Sequence, residues 1–435
     1  MLPVVMVSTN TDHSQFRIRR PVTCDAVPPT ASDDHVPTAG SPNRGSPFEV
    51  LLAFLKLGLT SFGGPLAHLG YFHTEFVERR RWVDDKTYGD LVALCQFLPG
   101  PASSQVGMAL GLRRAGWAGA LAAWAGFTLP SAVVLILFAY GIAEWSGLAA
   151  SGAMHGLKVA AVAVVAQAVW GMAKSLCPDG LRAGIAIAAA LVVLAVPTAA
   201  GQIGAIVLGG VVGRWALQLG HLPPATHQDY GVGRRTGALL LAIFVVLLVA
   251  LPILAATQAS PWLSAIAVFY KAGALVFGGG HVVLPLLQAG VVPPGWVSND
   301  AFLAGYGAAQ AVPGPLFTFA AYLGAAMPTP LGGWTGGLAL LVVVFVPAFL
   351  LVAGALPFWE AMRRRADVQR AMGGIHAAVV GVLGAALYDP VWTSAIHSRA
   401  DFGLALAAFG LLVHGRISPL IVVALAAATG WLLRS

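Results

Sequence analysis

The sequence predicts an all-α polytopic membrane protein, an inverted two-fold repeat with broken or re-entrant helices at Gly-Gly and Pro-Gly-Pro motifs. Three observations predict it. First, apolar runs of about 20 residues, the length that spans a bilayer core, recur from position 48 to the C-terminus. Only 10% of the 435 residues are charged and 57% are hydrophobic. Soluble domains carry about 25% charged residues, so there are too few here to clothe a soluble core. Second, unusual positions occur twice. Phe54, Lys56, Gly58, Phe62, Gly63 and Gly64 recur as Phe269, Lys271, Gly273, Phe277, Gly278 and Gly279. Gln96 with Pro99-Gly100-Pro101 recurs as Gln310 with Pro313-Gly314-Pro315. Third, Lys and Arg are distributed unequally between the two copies, and their placement reports sidedness.

Residues 1–46 are polar and rich in Pro, Ser, Thr and Asp. Met1–Val7 is too short for a signal segment, so this stretch reads as a disordered cytoplasmic tail. A first repeat, 47–219, holds segments at about 48–72, 88–112, 117–143, 148–174, 181–198 and 202–219. A polar linker and one extra transmembrane helix fill 220–257. The second repeat, 258–435, holds segments at about 262–290, 299–327, 332–358, 369–390, 401–415 and 417–433. The register between the copies drifts little, from 214 residues (Trp82 to Trp296) to 218 (Gly156 to Gly374). The last two segments of each copy match poorly. The three cysteines, Cys24, Cys95 and Cys177, suggest no disulfide framework and no metal site.

Arg79, Arg80, Arg81, Lys86, Arg113 and Arg114 flank the first two broken segments, whereas the loops near 257–262, 291–298 and 328–333 hold no Lys or Arg. Basic loops favour the cytoplasm, so the copies are expected to face opposite ways, with the extra helix supplying the odd parity. If segments 48–72 and 88–112 both crossed, the basic loops at 79–86 and 113–114 would lie on opposite sides. If each dips in and returns at its break, all stay cytoplasmic. Four re-entrant hairpins with nine crossings are expected, with thirteen crossings as the alternative.

An apolar segment that breaks leaves backbone N–H and C=O groups that must be buried in protein or line a wet cavity. Matched breaks in two halves mark a transporter's substrate site. Pro65 and Pro101 suit the first turn of a new helix, so each break can aim a helix N-terminus, with about half a positive charge and free N–H donors, at a small anion. The candidate substrate-binding residues are therefore Gly63, Gly64, Pro99, Gly100 and Pro101, with Gly278, Gly279, Pro313, Gly314 and Pro315 in the second copy. Lys56 and Lys271 precede the Gly-Gly breaks; they supply charge to the site or snorkel to the headgroups. Gln96, Ser104, Gln310 and Thr318 flank the Pro-Gly-Pro turns and either bond an oxyanion or satisfy broken backbone. His68, His155, His281, His376, Glu75 and Asp90 are the candidate proton carriers. No Walker A loop, metal motif or catalytic carboxylate pair stands out, so no catalytic residue, metal or cofactor is expected.

Phe62-Gly63-Gly64-Pro65, Gln96-Phe97-Leu98-Pro99-Gly100-Pro101 and the degenerate second copy resemble the chromate ion transporter family in its long two-domain form, over roughly residues 48–395. The second copy departs at Gly280, in place of proline, and at Val312, in place of Leu98. The resemblance implies a multi-pass protein of the bacterial cytoplasmic (inner) membrane that exports chromate and confers chromate resistance, with sulfate as mimic and competitor. A sulfate or other oxyanion permease, a channel and a membrane-embedded enzyme are the competing readings, the enzyme disfavoured by the missing motifs. The lipid bilayer is a partner, a homodimer is left open, and nothing points to nucleic acid.

Overall fold

A computed structural model describes residues 45–61, 64–144, 148–218, 231–258, 260–277, 283–415 and 417–434. The expected tail lies almost entirely outside the described residues, as do Gly63, Gly278, Gly279 and His281. Every regular element among the described residues is helical. The first half comprises α1 (Pro47–Thr60), α2 (Gly64–His73) with a π-turn at Thr74–Arg79, α3 (Asp85–Phe97), α4 (Ala102–Glu144), α5 (Leu148–Leu176), α6 (Gly180–Ala195) and α7 (Ala199–Ala216). The extra helix is α8 (Arg234–Thr257). The second half comprises α9 (Pro261–Ala274), α10 (Val283–Val291), α11 (Asn299–Ala311), α12 (Phe319–Ala326), α13 (Gly333–Ala355), α14 (Trp359–Arg363), α15 (Ala366–Ala386), α16 (Thr393–Ala395), α17 (Arg399–Val413) and α18 (Pro419–Arg434).

Among the described residues, five stretches are long and apolar enough to cross a bilayer: Ala102–Gly141, Gly152–Leu176, Arg234–Thr257, Gly333–Phe358 and Ala366–Ala395. The protein is a multi-pass membrane protein. The first stretch is not one straight rod. Ala115 (φ −140°, ψ 27°) and Gly116 (φ 64°, ψ −156°) leave helical geometry, and a Cβ on Gly111 would lie 2.3 Å from the carbonyl oxygen of Gly119. Residues eight apart on a straight helix are separated by about 12 Å, so the chain reverses here and α4 is two packed arms. In the second half the same close approach joins α12 to α13, where a Cβ on Gly324 would lie 2.4 Å from the Gly336 oxygen.

The chain also folds back at each break. Around the first Gly-Gly, the Phe54 ring stacks 4.8 Å from Phe76 and meets Phe72 edge-on at 5.4 Å, and Lys56 pairs with Glu75. At the second, a Cβ on Gly290 would lie 2.3 Å from Val268. After the second Pro-Gly-Pro, Tyr322 on α12 donates to the Ala301 carbonyl on α11 at 2.8 Å. The arms beginning at α1, α3, α9 and α11 each start on a side-chain cap: Ser46, Asp84, Ser260 and Ser298 accept from the backbone N–H three residues on.

The last helices of each half pack on the other half. Helices α6 and α7 embrace α15, and α17 and α18 embrace α5. A Cβ on Gly374 would lie 2.0 Å from the Gly209 oxygen and 2.7 Å from the Gly213 Cα. A Cβ on Gly156 would lie 2.1 Å from the Ala426 oxygen, and one on Gly430 2.8 Å from the Gly156 Cα. These are matching contacts in segments whose sequences match poorly. Close helix approach in a membrane needs only small residues, so Ala426 serves where the other half has Gly209. Outside this framework, α8 turns none of its apolar window inward. It leans on α9 and α13, with Tyr270 donating to the Phe244 carbonyl at 3.0 Å.

Candidate anion site

Helix α1 ends at Ser61, whose backbone is extended (φ −88°, ψ 101°). Helix α9 ends at Leu275, next to Val276. Each leaves carbonyl groups without helical partners, and the other half supplies one. The Gly314 N–H donates to the Ser61 carbonyl at 3.0 Å, and the Gly100 N–H donates to the Val276 carbonyl at 2.6 Å. Both glycines have positive φ, 125° at Gly100 and 101° at Gly314, where any other residue is strained. The Pro-Gly-Pro turn of each half is thus clasped to the Gly-Gly break of the other.

A third element closes each clasp. A Cβ on Gly314 would lie 2.8 Å from the Ser131 Oγ and 3.1 Å from the Phe127 oxygen, beside Pro130 of α4. A Cβ on Gly100 would lie 3.4 Å from the Ala348 Cβ, beside Pro347 of α13. The interruptions therefore pair across the halves inside the protein, as buried broken backbone in lipid must.

Polar side chains collect on the first-half side of these contacts. Ser61, Ser104 and Thr128 are buried, and their hydroxyl oxygens have no hydrogen-bond partner among the described residues. An orphaned buried hydroxyl costs about 1–3 kcal/mol. His68 hydrogen-bonds the Ser61 backbone, its Nδ1 lies 3.4 Å from the Ser103 Oγ, and its ring packs edge-on against Phe127. Gln105 donates from Nε2 to the Pro99 carbonyl at 2.9 Å and leaves its Oε1 unpartnered. Thr318 spends its hydroxyl on the Pro315 carbonyl at 2.8 Å. Gln310 is bonded to Tyr306, and Gln96 is exposed, with its backbone bonded to His376.

Lys56 has a different set of partners. Lys56 is half-exposed and pairs at 3.3 Å with Glu75, which also receives Arg80 at 2.7 Å and Arg79 at 3.0 Å. Arg114 pairs with Glu49, and the guanidinium groups of Arg80 and Arg114 lie over Trp82. Lys56 thus belongs to a basic layer where the ends of both first-half hairpins gather. Lys271 is half-buried. Lys158 is tied to Asp300 at 2.8 Å, and His155 to Asp401 at 2.6 Å. A cavity of about 300 Å³ lies elsewhere, lined by Gln202, Gln288, Asn299 and Asp389 among apolar residues. Beside it Gln288 donates to Asn299 at 2.5 Å. The first-half positions in register hold His73 and Asp85, also bonded.

Sequence reasoning singled out the glycines and prolines of the breaks because they repeat. It passed over Ser61, Ser103, Thr128 and Ser131, which do not.

The chromate transporter family model matches this chain twice, over residues 48–214 and 263–431. The chain belongs to the chromate transporter family. The second match runs past the resemblance read from the motifs and takes in the small-residue packing of α18. A chromate transport protein of Pseudomonas aeruginosa is 29% identical, over 93% of this chain and 96% of its own length. A probable chromate transport protein of Synechococcus elongatus is 27% identical over 77% of this chain and 82% of its own. One of Cupriavidus metallidurans is 28% identical over 78% and 81%. No solved structure matches the chain. The relatives are transporters rather than enzymes.

Proposed function

We propose that this protein is a secondary transporter that exports chromate across the bacterial cytoplasmic membrane and so confers chromate resistance. The observation that carries the reading is the reciprocal clasp, in which Gly100 and Gly314 each join a break of one half to a break of the other. Tetrahedral dianions need many donors and distributed positive charge. Helix N-termini and hydroxyls supply both without a buried counter-charge. A membrane potential negative inside favours exit of a dianion by about 4.6 kcal/mol per 100 mV, over three decades in concentration. Potential alone can drive export.

In this reading the repeats, 47–219 and 258–435, face opposite ways, separated by the linker and extra helix at 220–257. Each broken segment dips in and returns. The gathering of Glu49, Arg80, Trp82 and Arg114 supports this, because it sets both ends of both first-half hairpins at one level. Four hairpins and nine crossings keep that basic layer in the cytoplasm. Gly64, Gly100, Gly314 and their flanking prolines shape the pocket, with the turn residues Gly63, Gly278 and Gly279 assigned to it from sequence alone. Lys56 and Lys271 act as charges on the approach to it, and Gln96, Gln310, Ser104 and Thr318 flank its turns.

Inverted and right-side-out vesicles test both parts. Chromate should accumulate in inverted vesicles, saturably and with counterflow, and a cysteine at Arg81 should be labelled only from the cytoplasmic face. Accumulation solely in right-side-out vesicles refutes export. Labelling of that cysteine from outside refutes the hairpins. Sulfate carried with chromate excluded would favour the permease.

A further inference from the structure

Resting on that reading, we infer that the two halves build one oxyanion site per chain, not two: hydroxyls line the first-half side of the paired breaks, and aromatic rings close the second-half side. The repeat register sets Ser61, Ser103, Thr128 and Ser131 against Val276, Phe317, Phe345 and Ala348. Every one of these eight residues is buried. On the first side the Ser61 and Thr128 hydroxyls have no partner, although each sits in dry surroundings that demand one. The Ser131 hydroxyl donates to the Thr128 carbonyl at 3.0 Å, which holds the rim of the clasp beside Gly314.

On the second side the Phe317 and Phe345 rings lie 5.6 Å apart, and Phe345 reaches across to Trp124 at 5.9 Å. The first turn after each Pro-Gly-Pro shows the same division. Ser104 keeps an unpartnered hydroxyl, whereas Thr318, in register with it, has already donated to Pro315. A hydroxyl is a neutral donor that rotates to suit its acceptor, and several unpartnered hydroxyls within one half suit a tetrahedral dianion. Aromatic faces present negative potential and repel it. The repeat thus supplies a matched backbone frame, and side chains commit one end of it to the anion.

The test uses the purified full chain, with radiolabelled chromate binding measured per chain in detergent and chromate flux measured in proteoliposomes. Thr128→Val and Ser104→Ala should each weaken binding about tenfold or more, while Phe345→Leu and Phe317→Leu stay within about twofold of the parent. Size-exclusion profiles confirm that each variant folds, and a variant that fails is replaced by Thr128→Ala or Phe345→Met. Binding should saturate at one chromate per chain. Saturation at two, or equal weakening by the serine, threonine and phenylalanine variants, overturns the inference while leaving transport intact. A parent chain that carries no chromate overturns the function beneath it.

Discussion

Glu75 shows how a single residue organises the basic layer. It is 5% exposed and receives Lys56, Arg79 and Arg80. Burial opposes its ionisation, but hydrogen bonds from Arg80 and Lys56 outweigh this and hold the carboxyl below the usual carboxylate range. A depressed value means stability that is complete above about pH 5 and lost as pH falls through the folded value. Because the three cations are themselves largely exposed, Glu75→Gln should cost only about 1 kcal/mol at neutral pH. Thermal melts in detergent check it: the parent and variant curves should differ at neutral pH and converge in acid. A constant gap across that range would show that the carboxylate charge contributes nothing. The sequence singled out Lys56 and, as a candidate proton carrier, Glu75, but not their pairing. Gly290 stands in register with Glu75, so the repeat gave no sign that the acid mattered.

Among the elements, the broken segments were legible in the sequence because glycine and proline have few other uses inside apolar runs. The exchange of α6 and α7 for α17 and α18 was not. It rests on small residues, which are interchangeable in packing and too common in membrane helices to stand out. It makes a sharp prediction. A Cβ on Gly374 would meet the Gly209 oxygen at 2.0 Å, whereas one on Gly410 of α17 meets nothing within 4 Å. Gly374→Ala should cost about 1–3 kcal/mol through overpacking, seen as a lower melting temperature. Gly410→Ala should be neutral or stabilising by up to about 1 kcal/mol, through helix propensity. Equal responses would mean that the α7–α15 contact does not hold the halves together.

For the whole molecule, duplication explains the frame and divergence explains the chemistry. Identities between the halves mark what both need to fold: the breaks, the tight reversals, and Pro130 and Pro347 beside the opposite turn. The hydroxyl cluster lies where the halves differ, at Ser61 against Val276 and Thr128 against Phe345. A search for repeated residues looks past such positions, so the frame of the site was readable and its polar lining was not. The cavity lined by Gln202 and Gln288 offers the anion no cationic side chain. Chromium supplies its own label for deciding between them. In crystals grown with chromate, anomalous diffraction at the chromium edge should place one peak per chain within hydrogen-bond reach of Ser104 and Thr128. A peak in the cavity beside Gln202 and Gln288, with none at the clasped breaks, would contradict the account.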